Sequence, residues 1–271
     1  MPELPEVETT RRGIAPLVSG ARVERVAVRE RRLRWPIPRE VERKLTGARM
    51  LGVGRRAKYL LLESDRGTAI AHLGMSGSFS VVAAGTEPDA HDHYDVIFDG
   101  GRALRFTDPR KFGSLLWGGR EPLRHKLLAD LGPEPFSAEF SGAWLKESSI
   151  GRRVAVKSFL MMPAVVAGMG NIYASEALYR AGIHPRRTAG RIALRRYEAL
   201  AGVVRDVLGE AIEAGGTTLR DFADARGRPG YFAQRLDVYD REGQSCRRCG
   251  ASIRRSVIGQ RATYYCVNCQ K

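Results

Sequence analysis

The sequence predicts an α+β protein of several domains: an N-terminal β-sandwich with a leading helix over 1–130, a helical domain over 131–236, and a C-terminal cysteine hairpin over 237–271. Three observations carry this prediction. Strand-like runs of apolar residues follow one another between about 21 and 118, and beyond about 131 the apolar residues recur at helical spacing. The opening residues have one apolar helical face. All four cysteines lie at or beyond position 246.

Each element has its own signal. Pro5 suits a first helical position, Val7, Ile14, Leu17 and Val18 share a face of a helix over 5–19, and Gly20 ends it. Strand signals cover 21–28, 59–63, 68–72, 94–98 and 103–106, with Asp99-Gly100-Gly101 as a hairpin turn between the last two. The turn-rich Leu131-Gly132-Pro133-Glu134-Pro135 suggests a linker. A long helix follows from Tyr197, Leu200, Val203, Val204, Val207, Leu208, Ala211 and Ile212, and Gly215-Gly216 stops it.

The composition narrows the class. Apolar residues make up 43% of the chain, enough for a packed core, which excludes global disorder. The 45 Lys and Arg exceed the 30 Asp and Glu, a net charge of +15. That excess suits a polyanion; nucleic acid is preferred over an anionic membrane surface, and solubility alone is the plain alternative. No apolar run reaches the roughly 18 residues of a membrane helix. The opening MPELPEVETT is acidic and lacks an apolar signal segment, so a cytoplasmic protein is expected.

Cys246-x-x-Cys249 and Cys266-x-x-Cys269 have the spacing of a structural zinc site, with each pair on its own turn. Four cysteine ligands leave no open position for catalysis, and a metal can hold a hairpin too small to bury a core. Two disulfides or free thiols are the alternative. Met1-Pro2-Glu3 carries the most chemistry. Removal of Met1 exposes the secondary amine of Pro2, which can attack an electrophilic carbon and form a cationic iminium. The helix N-terminus beside it favours the neutral, nucleophilic amine, and Glu3 or Glu6 can carry protons. Pro and Glu are also ordinary residues for a helix's first turn.

Taken together, the motifs resemble the formamidopyrimidine-DNA glycosylase family, bacterial enzymes that remove 8-oxoguanine and ring-opened purines. Pro2-Glu3-Leu4-Pro5-Glu6-Val7-Glu8 is similar to the family opening. Gly168-Met169-Gly170-Asn171-Ile172-Tyr173 through Ile183-His184-Pro185 resembles its helix-two-turn-helix segment. Asp108-Pro109-Arg110-Lys111-Phe112-Gly113 resembles its intercalation loop, 225–231 its mobile loop, and Gly259-Gln260-Arg261 with the cysteines its zinc finger.

The resemblance implies roles. Pro2 is the expected Schiff-base nucleophile and Glu3 the general acid and base. Lys58 is expected to contact phosphate and assist β-elimination, and Arg261 to grip phosphate and assist δ-elimination. His91, Arg110, Arg152, Lys157 and Asn171 match DNA-contacting positions. Met75, Arg110 and Phe112 are the expected fillers of the space left by a flipped nucleotide, Phe112 as a wedge and Arg110 as partner to the orphaned base. The implied partner is damaged double-stranded DNA, the implied cofactor one structural zinc without redox or nucleotide cofactor, and the implied state a monomer.

The chain departs from the family pattern at Met162-Pro163, where a polar pair is usual, at Met169, and at Asp240, which replaces a Gly. Two other readings compete. A sister branch prefers oxidised pyrimidines, and Leu4 with the Met75, Arg110 and Phe112 trio favours the purine branch. A non-enzymatic zinc-stabilised DNA-binding protein is disfavoured by the presence of Pro2, Glu3, Lys58 and Arg261.

Overall fold

The computed structural model describes residues 2–217 and 235–271. The chain divides into two compact units: 2–129 with 214–217, and 130–213 with 235–271. The sequence motif at 225–231 lies outside the described residues.

The first unit opens with α1 (Leu4–Val18), with Pro5 in its first turn, as expected. Gly20 follows at φ +82°, a conformation that leaves the helix and suits Gly. Two antiparallel four-stranded sheets come next. One has the order β1 (Val23–Val28), β6 (Asp92–Phe98), β7 (Arg102–Thr107), β5 (Ser78–Ala83). The other has the order β2 (Met50–Arg56), β3 (Tyr59–Ser64), β4 (Gly67–His72), β8 (Ser114–Gly119). Hairpin pairings such as Phe98↔Arg102 and Arg56↔Tyr59 set their registers. The expected β-sandwich with a leading helix is therefore the observed architecture.

One core joins both sheets to the helix. Tyr94, Phe106 and Phe79 from the first sheet, Leu60, Leu62 and Leu115 from the second, and Val7, Ile14 and Val18 of α1 are all buried in it. The Tyr94 and Phe106 rings stack at 4.9 Å. A short helix, α2 (Arg39–Leu45), interrupts the strands, and it departs from the strand-only reading of this half. Its sequence is polar apart from Val41 and Leu45, four residues apart, and only those two side chains reach the core.

An ion cluster ties α1 to β2. Glu8 accepts from Arg11 (2.8 Å) and Arg12 (2.9 Å) on its own helix and from Arg55 on β2 (3.1 Å). Burial alone pushes the Glu8 carboxyl upward, but these three guanidinium groups outweigh it and hold its pKa at about 2.

The second unit is helical with a terminal hairpin. α3 (Gly142–Ser149) is capped by Ser141, whose Oγ accepts the Trp144 N–H at 3.1 Å. α4 (Val156–Leu160), α5 (Asn171–Arg180) and α6 (Leu194–Glu213) follow. α6 begins one turn before the first apolar residue of its predicted face, and Tyr197, Leu200, Val204, Val207, Leu208 and Ala211 are buried. The turn-rich stretch at 131–135 is no loose tether: Gly132 donates to Pro163 O, and a Cβ at Gly132 would lie 2.4 Å from Ala164 O. Met162 and Pro163 thus serve as a packed turn whose carbonyls are used. β9 (Arg254–Ile258) and β10 (Arg261–Tyr265) form the hairpin.

Glu8 sets an acid-stability prediction. Its folded pKa lies below the ordinary value, so its stabilisation is present above about pH 4.5 and is lost as the pH falls towards 2. Glu8→Gln is expected to lower unfolding free energy by about 2 kcal/mol at pH 7, after allowance for solvent screening. Denaturant titrations are expected to show that difference shrinking between pH 4.5 and pH 2.

Candidate catalytic corner, insertion loops and metal centre

The N-terminal corner is built by carboxylates. Pro2 and Glu3 are buried, and Glu3 occupies the cap of α1 with extended backbone. Glu3 and Glu6 form a capping box, in which the Glu3 N–H donates to Glu6 Oε2 at 2.8 Å. Glu6 Oε1 accepts the Thr217 N–H at 2.8 Å. Both oxygens of Glu6 are thus committed to backbone, which makes Glu6 a clamp, and Glu3, whose own carboxylate accepts the Glu6 N–H, is the carboxyl adjoining Pro2 in the chain. Gly216, at φ +82°, lies against the same clamp, and a Cβ there would sit 3.1 Å from Glu6 Oε1.

Lys58 sits in the two-residue turn between β2 and β3, beside Ala57 at φ +52°. A non-Gly residue in the left-handed region costs about 1–2 kcal/mol. Arg55 offsets that cost: its Nη1 donates to Ala57 O at 2.9 Å while its Nε holds Glu8. The turn presenting Lys58 is therefore anchored through Arg55 and Glu8 to the helix that begins beside Pro2.

Met75, Arg110 and Phe112 come from two loops that touch. All three side chains are exposed, Met75 at 38% and Phe112 at 43%, and the Arg110 guanidinium lies 4.9 Å over the Phe112 ring. Beneath them Asp108 is fully buried. Its carboxylate accepts from Ser76 Oγ (2.7 Å) of the Met75 loop and from the Gly113 and Arg110 N–H groups (2.7 and 3.2 Å) of its own loop. Gly74, at φ +67°, makes the close approach possible, since a Cβ would lie 2.4 Å from the Phe112 carbonyl carbon. His72 Nδ1 accepts the Gly74 N–H at 2.8 Å. Burial first, then the charges of Lys58 and Arg34, push the His72 pKa down to about 4, so the ring is neutral at pH 7 and keeps its acceptor nitrogen. His91 is exposed, and its backbone carbonyl accepts the Asp108 N–H.

In the second unit Arg152 and Arg261 are exposed, Arg261 directly after the tight turn Gly259-Gln260, whose φ values are +55° and +61°. Lys157 and Asn171 are placed differently. Lys157 is only 1% exposed, and its Nζ donates to Ala262 O (3.0 Å) and Thr263 Oγ1 (2.8 Å). Asn171 Nδ2 donates to the same Ala262 carbonyl at 3.0 Å. Both residues brace the strand that starts at Arg261.

The four cysteine sulfurs converge, all within 4.8 Å of one another, with Cys246–Cys269 at 3.8 Å and Cys249–Cys266 at 3.5 Å. Tetrahedral zinc with Zn–S bonds of about 2.3 Å needs S···S separations of about 3.8 Å, so the donor set and its spacing fit zinc. No disulfide is formed among them. α5 holds this finger from below. Glu176 is fully buried, and its carboxylate accepts the N–H groups of Asp237, Val238 and Tyr239 at 2.8–3.0 Å. Burial outweighs these donors and raises its pKa. Asp240 adopts φ +58°, the conformation in which Gly is free and Asp is tolerated.

The sequence reading missed Glu8, Arg55, His72, Asp108 and Glu176. Asp108 and Glu8 lay inside quoted motifs, and the i, i+3 and i, i+4 spacing of Glu8 with Arg11 and Arg12 was a usable signal. Glu176 gave none, because its partners lie some sixty residues away in sequence.

Known proteins match throughout. The formamidopyrimidine-DNA glycosylase N-terminal domain matches residues 1–115, the formamidopyrimidine-DNA glycosylase H2TH domain 131–223, and the zinc finger found in FPG and IleRS 243–271. Formamidopyrimidine-DNA glycosylases of Syntrophotalea carbinolica and Methylococcus capsulatus are each 59% identical over 271 residues, covering 100% of both chains. The crystal structure of the MutM (FPG) protein from Thermus thermophilus superposes with a TM-score of 0.89 at 39% identity, covering 99% of this chain and 98% of that one. A Lactococcus lactis FPG mutant in complex with DNA containing Fapy-dG superposes with a TM-score of 0.92 at 31% identity, covering 100% of both chains. By domain content, full-length identity and fold, the chain belongs to the formamidopyrimidine-DNA glycosylase family.

Proposed function

We propose that this protein is a bifunctional DNA glycosylase and lyase that removes oxidised purines, 8-oxoguanine and formamidopyrimidines, from duplex DNA. The observation that carries the reading is the N-terminal corner. Pro2 directly precedes the first turn of α1, Glu3 caps that turn, and Glu6 is already occupied. Met1 precedes Pro2 in the chain, so the Pro2 nitrogen is an amide until Met1 is removed. The Lactococcus lactis neighbours were solved with DNA carrying Fapy-dG or an abasic site, which supports the same substrate class here.

The freed Pro2 amine attacks C1′ of the damaged nucleotide. The C1′–N bond breaks, the base leaves with a proton, and Glu3 protonates the opening sugar oxygen. A secondary amine yields a cationic iminium, which acidifies the neighbouring C2′ hydrogen. Loss of that proton expels the 3′ phosphate, and a second elimination expels the 5′ phosphate. Lys58 and Arg261 assist the two departures as cations beside the phosphates. Met75, Arg110 and Phe112 fill the duplex when the nucleotide leaves the stack, which costs a few kcal/mol. His91 and Arg152 add phosphate contacts, with Lys157 and Asn171 acting at the same strand of the finger as Arg261. Zinc in the four cysteines supplies structure to the hairpin and no chemistry at the sugar.

Leu4 and the insertion trio favour the purine branch over oxidised pyrimidines; competing 8-oxoguanine and thymine-glycol duplexes separate the two. We place the protein in the cytoplasm as a monomer. Among the described residues no helix is long and apolar enough to cross a membrane.

Borohydride trapping on 8-oxoguanine duplex is expected to give a covalent adduct with Met1-processed protein and none with folded Pro2→Gly. A persistent full-yield adduct would assign the nucleophile to a lysine. On abasic duplex, Arg261→Ala is expected to stop mainly after the first elimination, so that gel analysis of the 3′ ends shows an unsaturated aldehyde in place of phosphate. Chelation of zinc is expected to weaken duplex binding at least about tenfold, through loss of the hairpin that carries Arg261; unchanged affinity of metal-free protein would contradict that role.

A further inference from the structure

The hydroxyl of Tyr179 lies 3.2 Å from the Sγ of Cys246, and both residues are buried, Tyr179 at 0% exposure and Cys246 at 3%. Tyr179 stands on α5, one turn after Glu176. It packs with Val238, Ile253, Tyr264 and Cys266 in the small core of the finger. The Arg248 guanidinium covers its ring at 4.6 Å, which fixes the ring's place beside the metal knuckle. A neutral thiol and a phenol can each donate to the other. A zinc-bound cysteine cannot donate, because the metal replaces its proton, so with zinc in place the direction is settled: the phenol donates and the sulfur accepts.

We propose that Tyr179 is a hydrogen-bond donor to the zinc-bound Cys246 thiolate and that this bond slows loss of the metal. Four thiolates around one divalent ion leave a net negative cluster, and a donor aimed at one sulfur stabilises that charge. The bond also carries the metal knuckle onto α5 at a point that the backbone contacts of Glu176 do not reach. The second knuckle has its own tie to the end of the same helix: Gln270 accepts the Cys266 N–H at 2.8 Å and donates to Ile183 O at 2.9 Å. Gln270 meets backbone, whereas Tyr179 addresses a sulfur directly. The inference concerns metal retention and stands apart from the reading of the DNA chemistry.

The test uses zinc-loaded protein, with Tyr179→Phe as the variant and Tyr197→Phe as the control, since the Tyr197 hydroxyl donates to Ala189 O at 2.9 Å and not to a cysteine. Zinc release into excess chelator is followed with a colorimetric metal indicator. Tyr179→Phe is expected to release zinc about tenfold faster than wild type, with Tyr197→Phe close to wild type. Equal rates for wild type and Tyr179→Phe would overturn the proposal. A second measurement needs no variant. In wild-type protein loaded with cadmium-113, the Tyr179 hydroxyl proton is expected to show scalar coupling to the metal through the Cys246 sulfur. Absence of that coupling would equally overturn it.

Discussion

A carboxylate withdrawn from water costs several kcal/mol unless hydrogen-bond donors replace the solvent around it, and the functional elements of this protein are organised by carboxylates that meet this condition. Glu6 gathers the N–H groups of Glu3 and Thr217, Asp108 gathers Ser76, Arg110 and Gly113, and Glu176 gathers three consecutive N–H groups at 237–239. Each group joins segments that no regular ladder connects. Loss of one partner leaves a buried polar group unpaired, which favours the one arrangement in which all are satisfied.

The residues that face outward depend on these hubs for their positions. Arg110, Phe112 and Met75 are exposed, yet the backbone beneath them is pinned by Asp108 and by the neutral His72. Lys58 occupies a strained turn that Arg55 and Glu8 hold in place. Arg261 leads a strand whose second carbonyl, that of Ala262, accepts from both Lys157 and Asn171. A site held this way needs little reorganisation when a ligand arrives, and that is where preorganised electrostatics act most strongly. Lys157 illustrates the division of labour: its ammonium donates to Ala262 and Thr263 of the hairpin, although the resemblance matches it to a DNA-contacting position.

Some parts of the fold were readable residue by residue. The α1 boundaries followed from Pro5 and Gly20, because a locked φ and a left-handed φ are local properties. The cysteine pairs announced the metal centre through two short loops whose spacing suits one ion. The α2 helix escaped the reading because seven residues with two apolar side chains carry too little periodicity. Of the candidate site, Pro2, Glu3, Met75, Arg110, Phe112 and the cysteines stood in recognisable motifs, whereas Glu8, His72, Asp108 and Glu176 act through partners distant in the chain.

The sequence by itself determined the leading helix, the strand-rich first half, the helical second half, the cysteine-bound metal centre and the family, since these rest on local dihedral preferences, short spacings and ordered motifs. Only the tertiary structure decided which acids are clamps and which adjoins Pro2, which cations are exposed and which are braces, and that a tyrosine on α5 meets a cysteine sulfur. Those distinctions depend on desolvation and donor geometry, which are properties of a residue's surroundings in space and have no signature in its neighbours along the chain.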